Sequence, residues 1–347
     1  MRRALRAWCV ATILALPIVG PGALAATGDD GPAQPFPPDR PTRTILRPTD
    51  LPALAPGGPS AAATDKTVIL LVSGLGSDAS DSMFDPMIDA LSRDPRYEIR
   101  RFGRDPGHPY DTLGSIDQNA DQLIAEVREL ARTHPKIDIV AHSMGGAVVD
   151  DAFRRGLSAK DKVDTYIALA SPHNGSTEAR VGQVFLAVSA LFDATPDLRA
   201  ITALVAQDIG SRAARDLAFI RSGPPPHDVT RLDVRMATDA IVTAPDAWTP
   251  GVTSRTLLPT TTGSIEGHSG VTTDPRAIDL VTTTIASGRP PALDWRGAIL
   301  GLAAWSASTL VEQHALEMYC ALGVVLLGCA IGLSIVRRRR GLPLGFP

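Results

Sequence analysis

Cysteine is nearly absent from this chain. Cys9, Cys320 and Cys329 are its only three, and all lie in apolar stretches near the two ends. The 310 residues between Cys9 and Cys320 therefore build no disulfide framework and use no thiolate chemistry. No Cys/His cluster has the spacing of a zinc site, and no metal or other cofactor is expected. An excess of charge of one sign is also lacking. The 34 Lys and Arg against 37 Asp and Glu leave a net charge of −3, which gives no basic field to hold a nucleic acid. Aromatic residues make up only 5% of the chain, so its core must be built from aliphatic side chains. Internal repeats are missing too, which excludes solenoid and propeller architectures.

Both ends carry targeting signals. The chain starts Met1-Arg2-Arg3-Ala4-Leu5-Arg6, continues with an apolar core over residues 7–19, and reaches Ala23-Leu24-Ala25. A basic n-region, an apolar h-region and an A-x-A site describe a signal peptide over residues 1–25. An uncleaved anchor helix is the alternative, and the breaks at Pro17, Gly20 and Pro21 argue against it. At the other end, residues 316–336 are almost unbroken apolar and are followed by Arg337-Arg338-Arg339-Arg340. At about 1.5 Å per residue such a helix reaches about 30 Å, the thickness of a bilayer core. The arginines hold the tail, 337–347, in the cytoplasm. The expected topology is a single-pass plasma-membrane protein whose catalytic part is extracytoplasmic.

Residues 26–65 are rich in Pro, Gly and Ala and read as a flexible spacer. From residue 66 to 288 apolar runs alternate with helical patterns. Strands are expected at 67–72, 97–102, 137–141, 163–170, 229–236 and 256–261. Helices are expected at 83–92, 116–133, 145–155 and 276–287. That alternation predicts an α/β class domain with a mostly parallel sheet flanked by helices. Residues 176–226 look helical without intervening strands, and read as a cap inserted over the site. Residues 289–315 form a linker and an amphipathic juxtamembrane segment.

The chemistry concentrates at Ala141-His142-Ser143-Met144-Gly145-Gly146, between an apolar strand and a helical stretch. A serine at a sharp strand-to-helix turn is a nucleophile elbow, and small residues such as Ala141 and Gly145 let strand and helix pass. A serine hydroxyl needs a base, a group that orients the base, and donors for the oxyanion. Asp239, in a turn after the strand at 229–236, is the candidate acid, ahead of Asp208, Asp216, Asp228, Asp233 and Asp246. His268 is the candidate base, because it follows Asp239 and lies outside the membrane-proximal tail. His108, His134, His142, His173, His227 and His314 are placed less suitably; His142 adjoins Ser143, but neighbours on an elbow point in different directions. The backbone N–H groups of Leu75 and Met144 are the candidate oxyanion donors. The turn Ser73-Gly74-Leu75-Gly76 lacks the Lys-Ser/Thr ending of a phosphate loop.

Three segments now carry a resemblance: Val72-Ser73-Gly74-Leu75-Gly76, the elbow, and Leu169-Ala170-Ser171-Pro172-His173-Asn174-Gly175-Ser176. Residues 66–287 resemble an α/β-hydrolase of the lipase and esterase type, including triacylglycerol lipases and inositol-deacylase-like lipases. The chain departs from many members at Ser73, where they have histidine, and at Ala141, where they have glycine. The resemblance implies Ser143 as nucleophile, Asp239 as acid, His268 as base, and Leu75 and Met144 at the oxyanion hole. The expected activity is hydrolysis of a hydrophobic or lipid ester through an acyl-enzyme. An acyltransferase on cell-envelope lipids or glycans would use the same groups, and a catalytically inactive binding protein would keep only the fold.

Overall fold

A computed structural model describes residues 64–77, 81–180, 182–183, 210–221, 223, 226–237, 239, 241–243, 245–258, 267–293 and single positions between 299 and 310. The chain divides into two units, 1–61 and 62–347, and every described residue belongs to the second. The signal peptide, the spacer up to residue 63, the 184–209 part of the cap, the transmembrane segment and the basic tail lie outside the described residues. Among those described, no helix is long and apolar enough to cross a membrane.

Six strands form one all-parallel sheet: β1 (Thr67–Val72), β2 (Tyr97–Arg101), β3 (Lys136–His142), β4 (Val163–Leu169), β5 (Thr230–Met236) and β6 (Thr253–Leu257). Their order is β2-β1-β3-β4-β5-β6. β1 shows why a parallel sheet forms. Five of its six residues are buried, so neither face could meet water. Val68, Leu70 and Val72 point to one face, where they pack with α2 (Ile116–Leu130) and α3 (Met144–Arg154). Ile69 and Leu71 point to the other, packing with α1 (Asp85–Leu91) and α6 (Pro275–Ser287). Burial of each such side chain is worth about 1.5–3 kcal/mol.

Helix ends follow local chemistry. α6 starts at Asp274, whose carboxylate accepts from the Arg276 N–H, has Pro275 in its first turn, and stops at Gly288 with φ 67°. α2 has no cap from its own Ser115; the carboxylate of Asp216, on α4 (Arg212–Phe219), accepts from the Ile116 N–H instead, at 2.9 Å. Asp216, ranked behind Asp239 as an acid, has a structural task in this bond. α4 starts at its Ser211 cap, whose hydroxyl accepts from the Ala214 N–H, and lies within the 176–226 stretch expected to be helical. β6 occupies 253–257 and so starts three residues ahead of the strand expected at 256–261, of which 259–261 lie outside the described residues. It is an exposed edge strand of mostly polar residues, so no apolar run marks its start.

The strand order reverses between β1 and β3: the chain leaves β1 towards β2 and leaves β3 towards β4. After β1 the chain goes to α1 on one face of the sheet and after β3 to α3 on the other, and in open α/β sheets such a switch point is where sites form. Ser73–Gly76 and Ser143 are the residues that follow β1 and β3. Helix α3 can approach β1 only because Gly145 has no side chain. A Cβ there would lie 2.5 Å from the Val72 carbonyl oxygen and 2.6 Å from that of Ser73. Gly145→Ala is accordingly expected to destabilise the domain by about 1–3 kcal/mol. Urea unfolding of the full-length variant against wild type measures this; an unchanged midpoint refutes it.

Candidate active site

Ser143 stands between β3 and α3 with φ 54° and ψ −129°. A non-glycine residue held there costs on the order of 1–3 kcal/mol, so its surroundings must impose it. Two backbone bonds do so: the Ser143 N–H donates to Leu169 O at 2.9 Å, and Gly146 N–H donates to Ser143 O at 3.0 Å. Gly74 passes directly by the serine. A Cβ on Gly74 would lie 2.9 Å from Ser143 Cβ and 3.3 Å from its Oγ.

The structure brings Ser143, His268 and Asp239 together. His268 opens the short helical turn α5 (Gly267–Gly270) at its second residue, with Nε2 2.8 Å from Ser143 Oγ and Nδ1 2.9 Å from Asp239 Oδ2. Asp239 is 3% exposed, and its other oxygen accepts from the N–H groups of Ile241 (3.0 Å) and Val242 (2.8 Å). A carboxylate so surrounded can only accept. Nδ1 of His268 therefore carries the proton, and Nε2 presents a lone pair to the serine hydroxyl. Burial disfavours a charged His268, yet the charge and hydrogen bond of Asp239, with the charge of Glu178, outweigh it and raise its pKa above the ordinary value. Leu75 follows Gly74 in the turn beside the serine. Met144 is the first residue of α3, where N–H groups have no partner within the helix.

Tyr110, Thr112 and Glu178, which sequence patterns did not single out, complete the surroundings together with His142. The Tyr110 hydroxyl donates to Ser73 O at 2.7 Å, and the Thr112 hydroxyl donates to Ser77 O at 2.8 Å. Together they brace the turn after β1 from a loop in which nothing but proximity in space could have revealed them. His142 directs Nε2 to the backbone oxygen of His268, at 3.0 Å. Glu178, on the helical residues after the 171–176 loop, feels the charges of His268 and Asp239, and burial pushes its pKa up to about 7.

His173, by contrast, belongs to a separate buried ionic network. Its Nδ1 lies 2.5 Å from Asp150 on α3. Arg231 on β5 reaches Asp150 Oδ1 at 3.1 Å and Asp233 Oδ1 at 3.0 Å, with its guanidinium 5.0 Å from the Tyr166 ring centre. Removing one member of such a buried group costs about 3–5 kcal/mol, because the remainder is left uncompensated. The network ties the elbow helix to the loop after β4 and to β5. Asp233, considered as an acid candidate, is occupied here, and Asp246 accepts from Thr177 N at 2.8 Å. Among the described residues no group of His, Cys, Asp or Glu could hold a metal ion. A surface cleft lined by Leu91, Tyr97 and Thr282 lies at the opposite end of the sheet from Ser143.

Two outcomes are expected. The base must be neutral to accept a proton, so the rate of Ser143 labelling by a fluorophosphonate rises with pH through a value above that of free histidine. Glu178→Gln removes a negative charge that favours imidazolium, and should move this limb to lower pH by up to about one unit. A pH–rate profile that coincides with wild type refutes the influence of Glu178. Tyr110→Phe frees the Ser73 carbonyl, and should slow labelling about 10-fold while costing only about 1 kcal/mol in denaturant unfolding. Labelling at the wild-type rate would remove Tyr110 from any role at the turn.

Residues 115–210, which include the elbow, match the PGAP1-like alpha/beta domain family. No curated protein sequence matches the chain. Similar solved structures include the RedJ thioesterase of the prodiginine pathway from Streptomyces coelicolor (17% identity, 68% of this chain and 96% of that one, TM-score 0.40). The Bacillus licheniformis lipase BlEst2 is another (16% identity, 66% and 94%, TM-score 0.42). Aspergillus fumigatus lipase B is a third (16% identity, 73% and 61%, TM-score 0.46). A parallel sheet with a strained serine at its switch point, matched over the elbow to a PGAP1-like alpha/beta domain, fits the α/β-hydrolase fold.

Proposed function

We propose that the chain is a serine-dependent carboxylic ester hydrolase. The observation that carries this reading is the continuous hydrogen-bonded line from Ser143 Oγ through His268 to Asp239, at 2.8 and 2.9 Å. Ser143 Oγ attacks the ester carbonyl carbon as its proton passes to His268 Nε2. Asp239 stabilises the imidazolium and holds the ring in the orientation that made Nε2 the acceptor. The carbonyl oxygen becomes an oxyanion, met by the N–H groups of Leu75 and Met144. His268 returns the proton to the departing alcohol, leaving an acyl group on Ser143. Water then attacks the acyl carbon and gives its proton to His268. The tetrahedral species collapses to release the carboxylic acid, and the proton returns to Ser143. No cofactor enters this sequence.

The proposed substrate is a hydrophobic or lipid ester. In support stand the apolar segment 316–336 with its four arginines and the signal-peptide pattern at 1–25, which together would hold the domain against the outer face of the plasma membrane. Ser143→Ala tests the core of the reading. It should preserve the unfolding transition, abolish fluorophosphonate labelling, and lower turnover of a chromogenic ester by on the order of 10⁴-fold or more. Wild-type turnover by the variant would overturn the assignment.

A further inference from the structure

The elbow carries a second imidazole. His142, buried at 3% exposure, lies with its ring centre 4.8 Å from that of His268. Its Nε2 is 3.0 Å from the His268 backbone oxygen. A carbonyl oxygen only accepts, so Nε2 of His142 carries the proton and donates it. Among the described residues Nδ1 has no hydrogen-bond partner, and it faces the turn after β1, 3.4 Å from where a Cβ on Gly74 would sit. A bare lone pair there and a donor towards residue 268 define one tautomer of a neutral ring. Burial, with the adjacent charge of His268, depresses the His142 pKa to about 3, so the ring keeps this state across the range in which His268 titrates.

We propose that His142 is a positioning residue for the base: its Nε2–H holds the backbone of His268 and so fixes the base against the nucleophile's own strand. The need for such a tie is visible in the chain. His268 sits in a turn of only four helical residues, and the bonds that tie this turn onward are accepted by the carbonyls of Ser269 and Gly270 from the N–H groups of Thr272, Thr273 and Asp274. Asp239 orients the imidazole from β5's side of the site, and His142 grips the backbone from β3. Because Ser143 is the next residue, any shift of the elbow carries the base with it, and the distance across which the proton moves is kept. Neutrality is part of the device. A cation at 142 would oppose the imidazolium that forms at 268, where Asp239, Glu178 and His142 are the titratable neighbours.

This inference rests on the serine-hydrolase reading for its kinetics alone, and one arm of the test is independent of it. Histidine-selective 15N labelling of the full-length wild-type chain, with His142→Gln to assign the signal, should report a neutral Nε2–H ring from pH 5 to 9. A charged ring, or a proton on Nδ1, overturns the proposal whether or not any ester is cleaved. For the kinetic arm, His142→Leu keeps the bulk and loses the donor, whereas His142→Gln keeps an N–H at similar reach. The Leu variant should lower kcat on a soluble chromogenic ester and the fluorophosphonate labelling rate by about 10–100-fold, with KM within about 2-fold. The Gln variant should recover to within about 5-fold of wild type. Wild-type labelling by the Leu variant, or a Gln variant as slow as Leu with both folded by circular dichroism, overturns the role of the donor. Wild-type protein that takes up no label would instead refute the serine-hydrolase reading and leave the ring assignment standing.

Discussion

The backbone of Ser143 is the constraint on which the rest depends. A serine at φ 54° cannot be held by its own preferences, so the sheet has to hold it. Leu169 takes its N–H, the first turn of α3 takes its carbonyl, and Gly145 lets that helix sit close enough to do so. The second face of α3 is locked from below by Asp150 in its network with His173 and Arg231. Strain at one residue is thus opposed by several ordinary interactions on three strands, each modest alone.

Electrostatics in the site follow the same division of labour. His142 and His268 are both buried, and burial acts on both in the same direction. They end with opposite responses because only His268 has a carboxylate. Asp239 raises one pKa above the ordinary value while the other falls to about 3. That separation sets two chemically identical rings apart, one titrating near 3 and the other above the ordinary histidine value. It leaves a single proton acceptor facing Ser143, so the hydroxyl has no second base with which to form an unproductive bond.

How much of this was legible from the sequence depends on whether a residue's task is local. β1 announces itself by five buried aliphatic residues in a row, and α6 by Asp274-Pro275 at its start and Gly288 at its end. The elbow is local in the same sense, since a strand, a small residue, a serine and a glycine lie within a few positions. Asp239 and His268 could be nominated only by chain order; the fold is what brings them within hydrogen-bond reach of each other. Edge strand β6 was displaced because an exposed strand such as Thr253–Leu257 has no apolar alternation to read. Tyr110, Glu178 and Arg231 had no signal at all. Each acts on a partner at least 37 positions away or through the field of other groups, and such partnerships exist only once the chain is folded.

His142 illustrates that limit from the other side. Adjacent in sequence to Ser143, it was set aside as a base because side chains flanking a sharp turn diverge, and the geometry agrees: its ring leaves the serine and goes to the backbone of residue 268. Divergence does not make it irrelevant. On β3 the residue before the turn is the last that the sheet still holds rigidly, with its backbone paired to Leu169. A donor placed there moves least of any near the nucleophile. The turn carrying His268 is only four residues long, and a fixed donor on a neighbouring strand ties its backbone to the sheet. The rigidity of a central strand can therefore be lent to a loop through one hydrogen bond, provided the donor carries no charge that would compete with the chemistry beside it.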